Sequence, residues 1–211
     1  QRYAKWNERT PEGKRRKQLA QLNLEIVLET HANCGVFLHP SRRKRRILPM
    51  SNKARVLKHL QALSIPCEVY EHPAVFTMEE CLALPYAAPD VTFCKNILLC
   101  NRQQTAFYLY VTLPDKPFRT ADTSKLLHSS RLSFAPSECL PTMLGLESGS
   151  LSPLGLWFDE EKRIQLVFDH DVKREGRIAF HPCDNTATVV FAQEVFWTQV
   201  VPTLGHEPIW L

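Results

Sequence analysis

Nothing in this sequence approaches the ~20 consecutive apolar residues that a membrane-spanning helix requires, so no membrane partner is expected. Glycine is scarce, 7 residues in 211, which excludes a flexible low-complexity chain; the 15 prolines point instead to many fixed turns. There is no N-x-[ST] acceptor, no C-x-x-C pair and no secretory h-region with a small-residue cleavage site. The seven cysteines are odd in number, and most sit in apolar surroundings, as Cys94 and Cys100 do around Ile97-Leu98-Leu99. These absences favour reduced thiols in a cytoplasmic protein over a disulfide framework.

Several catalytic signatures are also missing. Gly149-Ser150-Leu151-Ser152-Pro153 fails as a G-x-S-x-G nucleophile elbow. No G-x-x-x-x-G-K or G-x-G-x-x-G stretch exists to cradle a phosphate. Cys34-x4-His39 and His181-x-Cys183 lack a partner pair, so no metal ligand set is named and no cofactor is expected.

What is present begins with a split of charge. Residues 1–49 hold 12 Lys+Arg against 4 Asp+Glu, a net of +8, whereas residues 50–211 hold 14 against 18, a net of −4. The basic clusters Lys14-Arg15-Arg16-Lys17 and Arg42-Arg43-Lys44-Arg45-Arg46 flank a segment over residues 18–30 with helical apolar spacing. Lys/Arg clusters gain affinity for nucleic acid by releasing phosphate counterions. A solvated extension, or sequence upstream of a true start at Met50, is the reading preferred over a nucleic-acid-binding arm. Residues 1–49 are therefore read as a basic N-terminal extension, and residues 50–211 as the folded domain. At 44% hydrophobic residues overall the chain has enough apolar side chains for a core.

Along that domain the periodicity predicts helices at 51–63, at a capping box Thr77-Met78-Glu79-Glu80, and at 122–128, 136–144 and 193–200. It predicts strands at 67–71, 96–101, 107–112, 131–134, 156–159, 164–169, 177–180 and 187–191. The two strands around Asn101-Arg102-Gln103-Gln104 read as a hairpin. Helices and strands mix without strict βαβ alternation. The expected class is therefore α+β, a mixed, largely antiparallel sheet surrounded by helices.

Three features invite a chemical reading. Lys95-Asn96 precedes an apolar strand, so the lysine is either a snorkelling surface residue or a cation aimed into a pocket. The loop from Gly149 to Gly155 is either a plain connection or a backbone that approaches a ligand and offers N–H groups to an oxyanion. His181 opens the polar turn His181-Pro182-Cys183-Asp184-Asn185-Thr186, as a structural residue or as one that orients a water or substrate.

These features occur together, in order, with Glu71-His72-Pro73-Ala74-Val75-Phe76-Thr77 and Arg131-Leu132-Ser133-Phe134-Ala135. On that ordered set residues 51–211 resemble the YbaK/ProX family of aminoacyl-tRNA deacylases, related to the editing (INS) domain of bacterial prolyl-tRNA synthetase. Gly205-His206-Glu207-Pro208 is similar to the ProXp-ala (PrdX) branch. The resemblance implies a trans-editing enzyme that hydrolyses the ester of mischarged tRNA(Pro), with alanyl-tRNA(Pro) placed first and cysteinyl-tRNA(Pro) as the sibling alternative. It implies Lys95 and His181 as catalytic residues, and Asn96, Gly149, Ser150, Leu151, Ser152, Pro153 and Asn185 as substrate-binding ones. The implied partners are the tRNA(Pro) acceptor end and, as an auxiliary, prolyl-tRNA synthetase. A non-catalytic tRNA- or partner-binding module that uses the basic extension stays open beside it.

Overall fold

The computed structural model describes residues 50–174 and 176–211. The two basic clusters, the helical spacing over residues 18–30 and Cys34 lie outside the described residues.

Helix α1 (Asn52–Ala62) starts where Ser51 accepts a hydrogen bond from the Ala54 N–H, and it buries Val56 and Leu60. It is followed by β1 (Glu68–Glu71) and by the short helix α2 (Met78–Leu82). The Thr77/Glu80 capping box is formed reciprocally at α2, as its sequence requires. Then come β2 (Val91–Phe93), β3 (Lys95–Asn101), β4 (Phe107–Thr112), α3 (Thr120–Leu126), β5 (Leu132–Phe134) and α4 (Cys139–Met143). After a 3-10 helix over Pro153–Phe158 follow β6 (Ile164–Phe168), β7 (Arg177–Phe180) and β8 (Ala187–Ala192). The closing helix runs through α5 (Gln193–Val195), a π turn (Phe196–Val200) and α6 (Val201–Thr203) to β9 (Ile209–Trp210). Pro202 has no N–H to offer the preceding turn, and the helix widens just before it.

The strands form two sheets. One has four strands in the order β1-β8-β7-β2, the other five in the order β5-β3-β4-β6-β9. The β3–β4 hairpin pairs Lys95 with Thr112 and Cys100 with Phe107. The pairs β2–β7, β4–β6 and β6–β9 are parallel and the remainder antiparallel, so the α+β reading holds, with two mixed sheets in place of one.

Strand alternation explains why both sheets hold together. Leu98, Leu109, Val111, Leu166 and Phe168 of the second sheet share one core with Ile178, Phe180, Val189 and Phe191 of the first. Their neighbours point to the opposite faces: Ile97, Leu99, Tyr110 and Val167 to one satellite cluster, Phe93, Ala179 and Val190 to another. Each fully buried Leu or Phe contributes about 1.5–3 kcal/mol, against about 1 kcal/mol for a helix cap. The sheets rather than the short helices therefore fix the position of whatever they carry.

Three expectations need correction, and two strands go unread. The run over 156–159 is not a strand but part of the 3-10 helix, where Pro153, Leu154, Gly155 and Leu156 are all buried and Ser152 caps the start. A short, fully apolar run has no alternation to separate the two forms. The helix expected over 136–144 is confined to Cys139–Met143, and that over 122–128 shifts to Thr120–Leu126, ending before His128 at φ +48°. β2 and β9, at three and two residues, are too short to read from sequence. The six described cysteines carry free thiols: Cys81, Cys94, Cys100 and Cys183 are buried and Cys67 and Cys139 partly so. No helix among the described residues is long and apolar enough to cross a membrane.

Candidate active site

The chain passes from the first sheet to the second between Phe93 and Lys95, through Cys94 alone. A cavity of about 440 Å³ opens at this seam, and Lys95, Asn96, Gly149, Leu151 and His181 line it. Its apolar wall includes Met78 and Cys81 from α2, Phe93 from β2 and Ala179 from β7. Phe76, 71% exposed, stands at the rim.

Each polar group is held by a different device. Lys95 is the first residue of β3, pinned by its register with Thr112. Thr112 in turn donates to the buried Asp169, which also accepts from Tyr110 and Lys116. Lys95 makes no ion pair among the described residues, so its charge is available to a ligand. The Asn96 side chain donates to the Leu151 carbonyl at 3.0 Å and ties the loop to β3, while its buried Oδ1 has no partner.

The loop itself is shaped by Gly149, whose φ of +85° suits glycine, with Phe76 and Asn185 already close to where a Cβ would stand. Ser150 spends both its hydroxyl and its N–H on the Glu147 carbonyl. The N–H groups of Gly149 and Leu151 have no internal partner among the described residues. Ser152 is fully buried and caps the 3-10 helix, and Pro153 is buried at its first turn. Neither lines the cavity; both support the loop from below, because Pro153 has no N–H to donate and the Ser152 hydroxyl is committed to Leu154. Ser150 and Asn185 border an adjoining cavity of about 390 Å³ that also holds Glu147 and Asp184.

His181 follows β7 directly. Its Nδ1 lies 2.8 Å from the Ala187 carbonyl, which fixes that nitrogen as the protonated donor and leaves Nε2 as an acceptor. Nε2 faces the Cys81 Sγ at 3.8 Å. Burial lowers the imidazole below the ordinary histidine range and the nearby His72 pushes the same way, against the raising pull of the Ala187 carbonyl and of Asp184. His181 is therefore neutral at pH 7. Burial, with the Glu80 charge behind it, raises the Cys81 thiol, so Cys81 is protonated and donates toward Nε2. The turn that carries His181 is clamped to the chain after β1: His72 N–H donates to Thr186 and Val75 N–H to Asn185, while the Asn185 side chain donates back to Val75.

Sequence reasoning named Lys95, Asn96, Gly149, Leu151 and His181, and the fold brings these together. It gave no role to Met78, Cys81, Phe93 or Thr188, nor to Phe76 and His72, which entered only as part of the Glu71–Thr77 motif; the His72 Nε2 lies 3.0 Å from the Thr188 Oγ1. A signal existed for two of them: the capping box announces the helix whose inner side presents Met78 and Cys81. Among the described residues no group of three or more His, Cys, Asp or Glu is placed to hold a metal ion.

The chain was compared with known proteins. The aminoacyl-tRNA editing domain family matches residues 72–196, the span that holds every cavity residue named above. The prolyl-tRNA editing protein ProX of Acetoanaerobium sticklandii is 32% identical over 147 residues, covering 70% of this chain and 89% of that protein. The prolyl-tRNA synthetase associated domain-containing protein 1 of Bos taurus is 33% identical over 162 residues, covering 74% and 92%. A crystal structure described as a candidate trans-editing enzyme for prolyl-tRNA synthetase superposes with a TM-score of 0.58 at 17% identity, covering 77% of this chain and 98% of that one. That likeness concerns the fold. Sequence match and fold agree: this chain belongs to the aminoacyl-tRNA editing domain family.

Proposed function

We propose that this chain deacylates mischarged tRNA(Pro) in trans and that the alanyl ester is its substrate. One observation carries the reading: a cation, a loop with two unpaired N–H groups and a neutral histidine converge from three parts of the chain on one apolar-walled cavity. The names of the ProX and prolyl-tRNA synthetase associated relatives support tRNA(Pro) as the carrier.

An aminoacyl ester is already an activated acyl group, so no strong nucleophile is required. Water adds to the carbonyl carbon, the carbonyl oxygen takes up negative charge, and the bond to the terminal ribose oxygen breaks. The leaving ribose oxygen takes up the proton given up by the attacking water, and alanine and intact tRNA leave. Lys95 supplies positive charge to the terminal phosphodiester or the developing oxyanion, and the Gly149 and Leu151 N–H groups add donors. His181 Nε2 orients the attacking water when the Cys81 thiol yields it. Met78, Cys81, Phe93 and Ala179 supply the apolar wall, and selection for alanine would come from steric clash of a bulkier side chain with that wall. The acceptor end of the tRNA is the partner, with prolyl-tRNA synthetase as an auxiliary one. The net −4 of residues 50–211 favours a contact confined to that end.

The test is a deacylation assay of the full chain on alanyl-, cysteinyl- and prolyl-tRNA(Pro). Release of alanine with the other two esters spared is the expected result. Release of cysteine alone would transfer the chain to the sibling specificity, and inertness toward all three would remove the enzymatic reading. The pH profile adds an independent check. Because His181 acts as a neutral base with a lowered pKa, kcat/KM is expected to stay level through neutrality. It should fall only on the acid side of the ordinary histidine value of about 6.5. A fall that begins above that value would remove His181 from this role.

A further inference from the structure

The hydrolytic reading leaves two neighbouring features without a task, the ring of Phe76 and the second cavity beside it. A lone apolar side chain on a surface carries no message. Phe76 is placed differently. It is 71% exposed, yet its backbone is fixed: its N–H and that of Thr77 both donate to Glu80 Oε2, at 2.6 and 3.1 Å. The edge of its ring rests against the Gly149 turn, with Cδ1 3.7 Å from where a Gly149 Cβ would stand. The ring borders both cavities, the one of about 440 Å³ that holds Lys95 and His181 and the one of about 390 Å³ that holds Glu147, Asp184 and Asn185. A flat π surface is thus held between two cavities with most of its area uncovered.

The second cavity is rich in acceptors. Asp184 takes the Thr186 N–H and hydroxyl on Oδ1, and its Oδ2 accepts nothing among the described residues. Burial works against its ionisation, but the bonds from Thr186 and the charge of Lys53 hold Asp184 below the ordinary carboxylate range, so it is charged at pH 7. Glu147 adds a second carboxylate to the lining. Such a wall suits a flat group that carries N–H donors on its edge and repels one that carries carbonyl oxygens there.

We propose that Phe76 is a base-stacking residue and that the second cavity receives the adenine of the adenosine with which every tRNA ends. The assignment rests on the tRNA reading above. The ester lies in the first cavity, the ribose passes the Gly149 turn, and the adenine stacks on Phe76 with its exocyclic amino group toward the carboxylates. Every base has a π face, so the ring supplies affinity and the acceptors supply the preference for adenine. The contact is the same whichever acyl group the tRNA carries, and the same before and during the reaction. Phe76 therefore serves binding of the acceptor end, not the choice of amino acid.

The binding test does not depend on the proposed deacylation. 5′-AMP alone is titrated with the full chain and followed by NMR. The ring current of Phe76 should move the adenine H2 and H8 signals upfield. Phe76→Leu keeps apolar bulk but has no π face; verified as folded by circular dichroism, it should lose the shift and bind 5′-AMP about tenfold more weakly. Phe76→Tyr should retain both. 5′-IMP, with a carbonyl oxygen in place of the exocyclic amino group, should bind the unmodified chain at least about tenfold more weakly than 5′-AMP. In the deacylation assay Phe76→Leu should raise KM for alanyl-tRNA(Pro) by about tenfold to a hundredfold and leave kcat nearly unchanged. No upfield shift with the unmodified chain, or unchanged 5′-AMP binding in Phe76→Leu, would overturn the stacking role. Equal binding of 5′-IMP would overturn the placement of the amino group in the second cavity. Inertness toward every ester with the 5′-AMP response intact would overturn the deacylase reading alone.

Discussion

Replacement of Lys95 by alanine is expected to lower kcat/KM for alanyl-tRNA(Pro) by about 10²–10³-fold, the range found when one preorganised donor to a developing oxyanion is removed. The position follows from the fold. Lys95 begins β3 opposite Thr112, whose hydroxyl is tied to the buried Asp169, so the backbone below the lysine is fixed at both strands. Its side chain lines the cavity without a carboxylate partner among the described residues. Steady-state kinetics separates its two possible tasks. A loss carried by kcat places the charge on the carbonyl oxygen in the transition state, and a loss carried by KM places it on the terminal phosphodiester. Lys95→Arg keeps the charge but replaces a compact ammonium with a planar fork, and recovers only part of the rate. A Lys95→Ala variant with unchanged kinetics would remove this residue from the chemistry.

Gly176→Ala is expected to destabilise the fold by about 3 kcal/mol. Gly176 has a φ of +98°, and a Cβ there would lie 2.5 Å from the backbone oxygen of Asp90. Neither group can move freely. The Asp90 carbonyl accepts from the Arg177 N–H at 2.8 Å, its carboxylate takes the Arg177 guanidinium, and the Gly176 carbonyl accepts from Gln193. The clash therefore falls on the junction that sets β2 beside β7 in parallel register, Val91 opposite Arg177. For a domain of this size each kcal/mol lowers Tm by about 2–4 °C, so thermal unfolding should start roughly 6–12 °C lower. Gly145→Ala is the matched control: its φ is +65° but nothing lies within 4 Å of an added Cβ, so it carries only the cost of the backbone conformation. Equal losses in the two variants would mean that the Asp90 contact contributes nothing. β2 leads through one residue into Lys95, and His181 follows β7 directly. The folded fraction of Gly176→Ala should consequently also lose activity, which Gly145→Ala should retain.

Much of this was legible in the chain. The first helix, the Thr77/Glu80 box and the β3–β4 hairpin depend on neighbours a few residues apart, and each forms where its sequence signal places it, with Ser51 outside the helix as its cap. The 3-10 helix at Pro153 was not legible, because an unbroken apolar run reads alike as buried strand or buried helix. The Gly149–Pro153 loop shows the same division within five residues. Its glycine turn could be read, but which residues face the ligand and which support them from below is decided by packing against Asn96, Glu147 and Leu154.

The sequence by itself determined most of the local elements, the charge division at residue 50 and the ordered motifs that mark an editing domain. Only the tertiary structure decided that Lys95, the Gly149 loop, His181 and Cys81 share one cavity, and which nitrogen of His181 is free. The reason is physical. Local elements follow from hydrogen bonds and side-chain periodicity over a few residues. Cys81 and His181, by contrast, are brought together across 100 positions of sequence because Cys81 packs with Ala179 and Val190 while His181 follows β7, and that packing leaves no local trace.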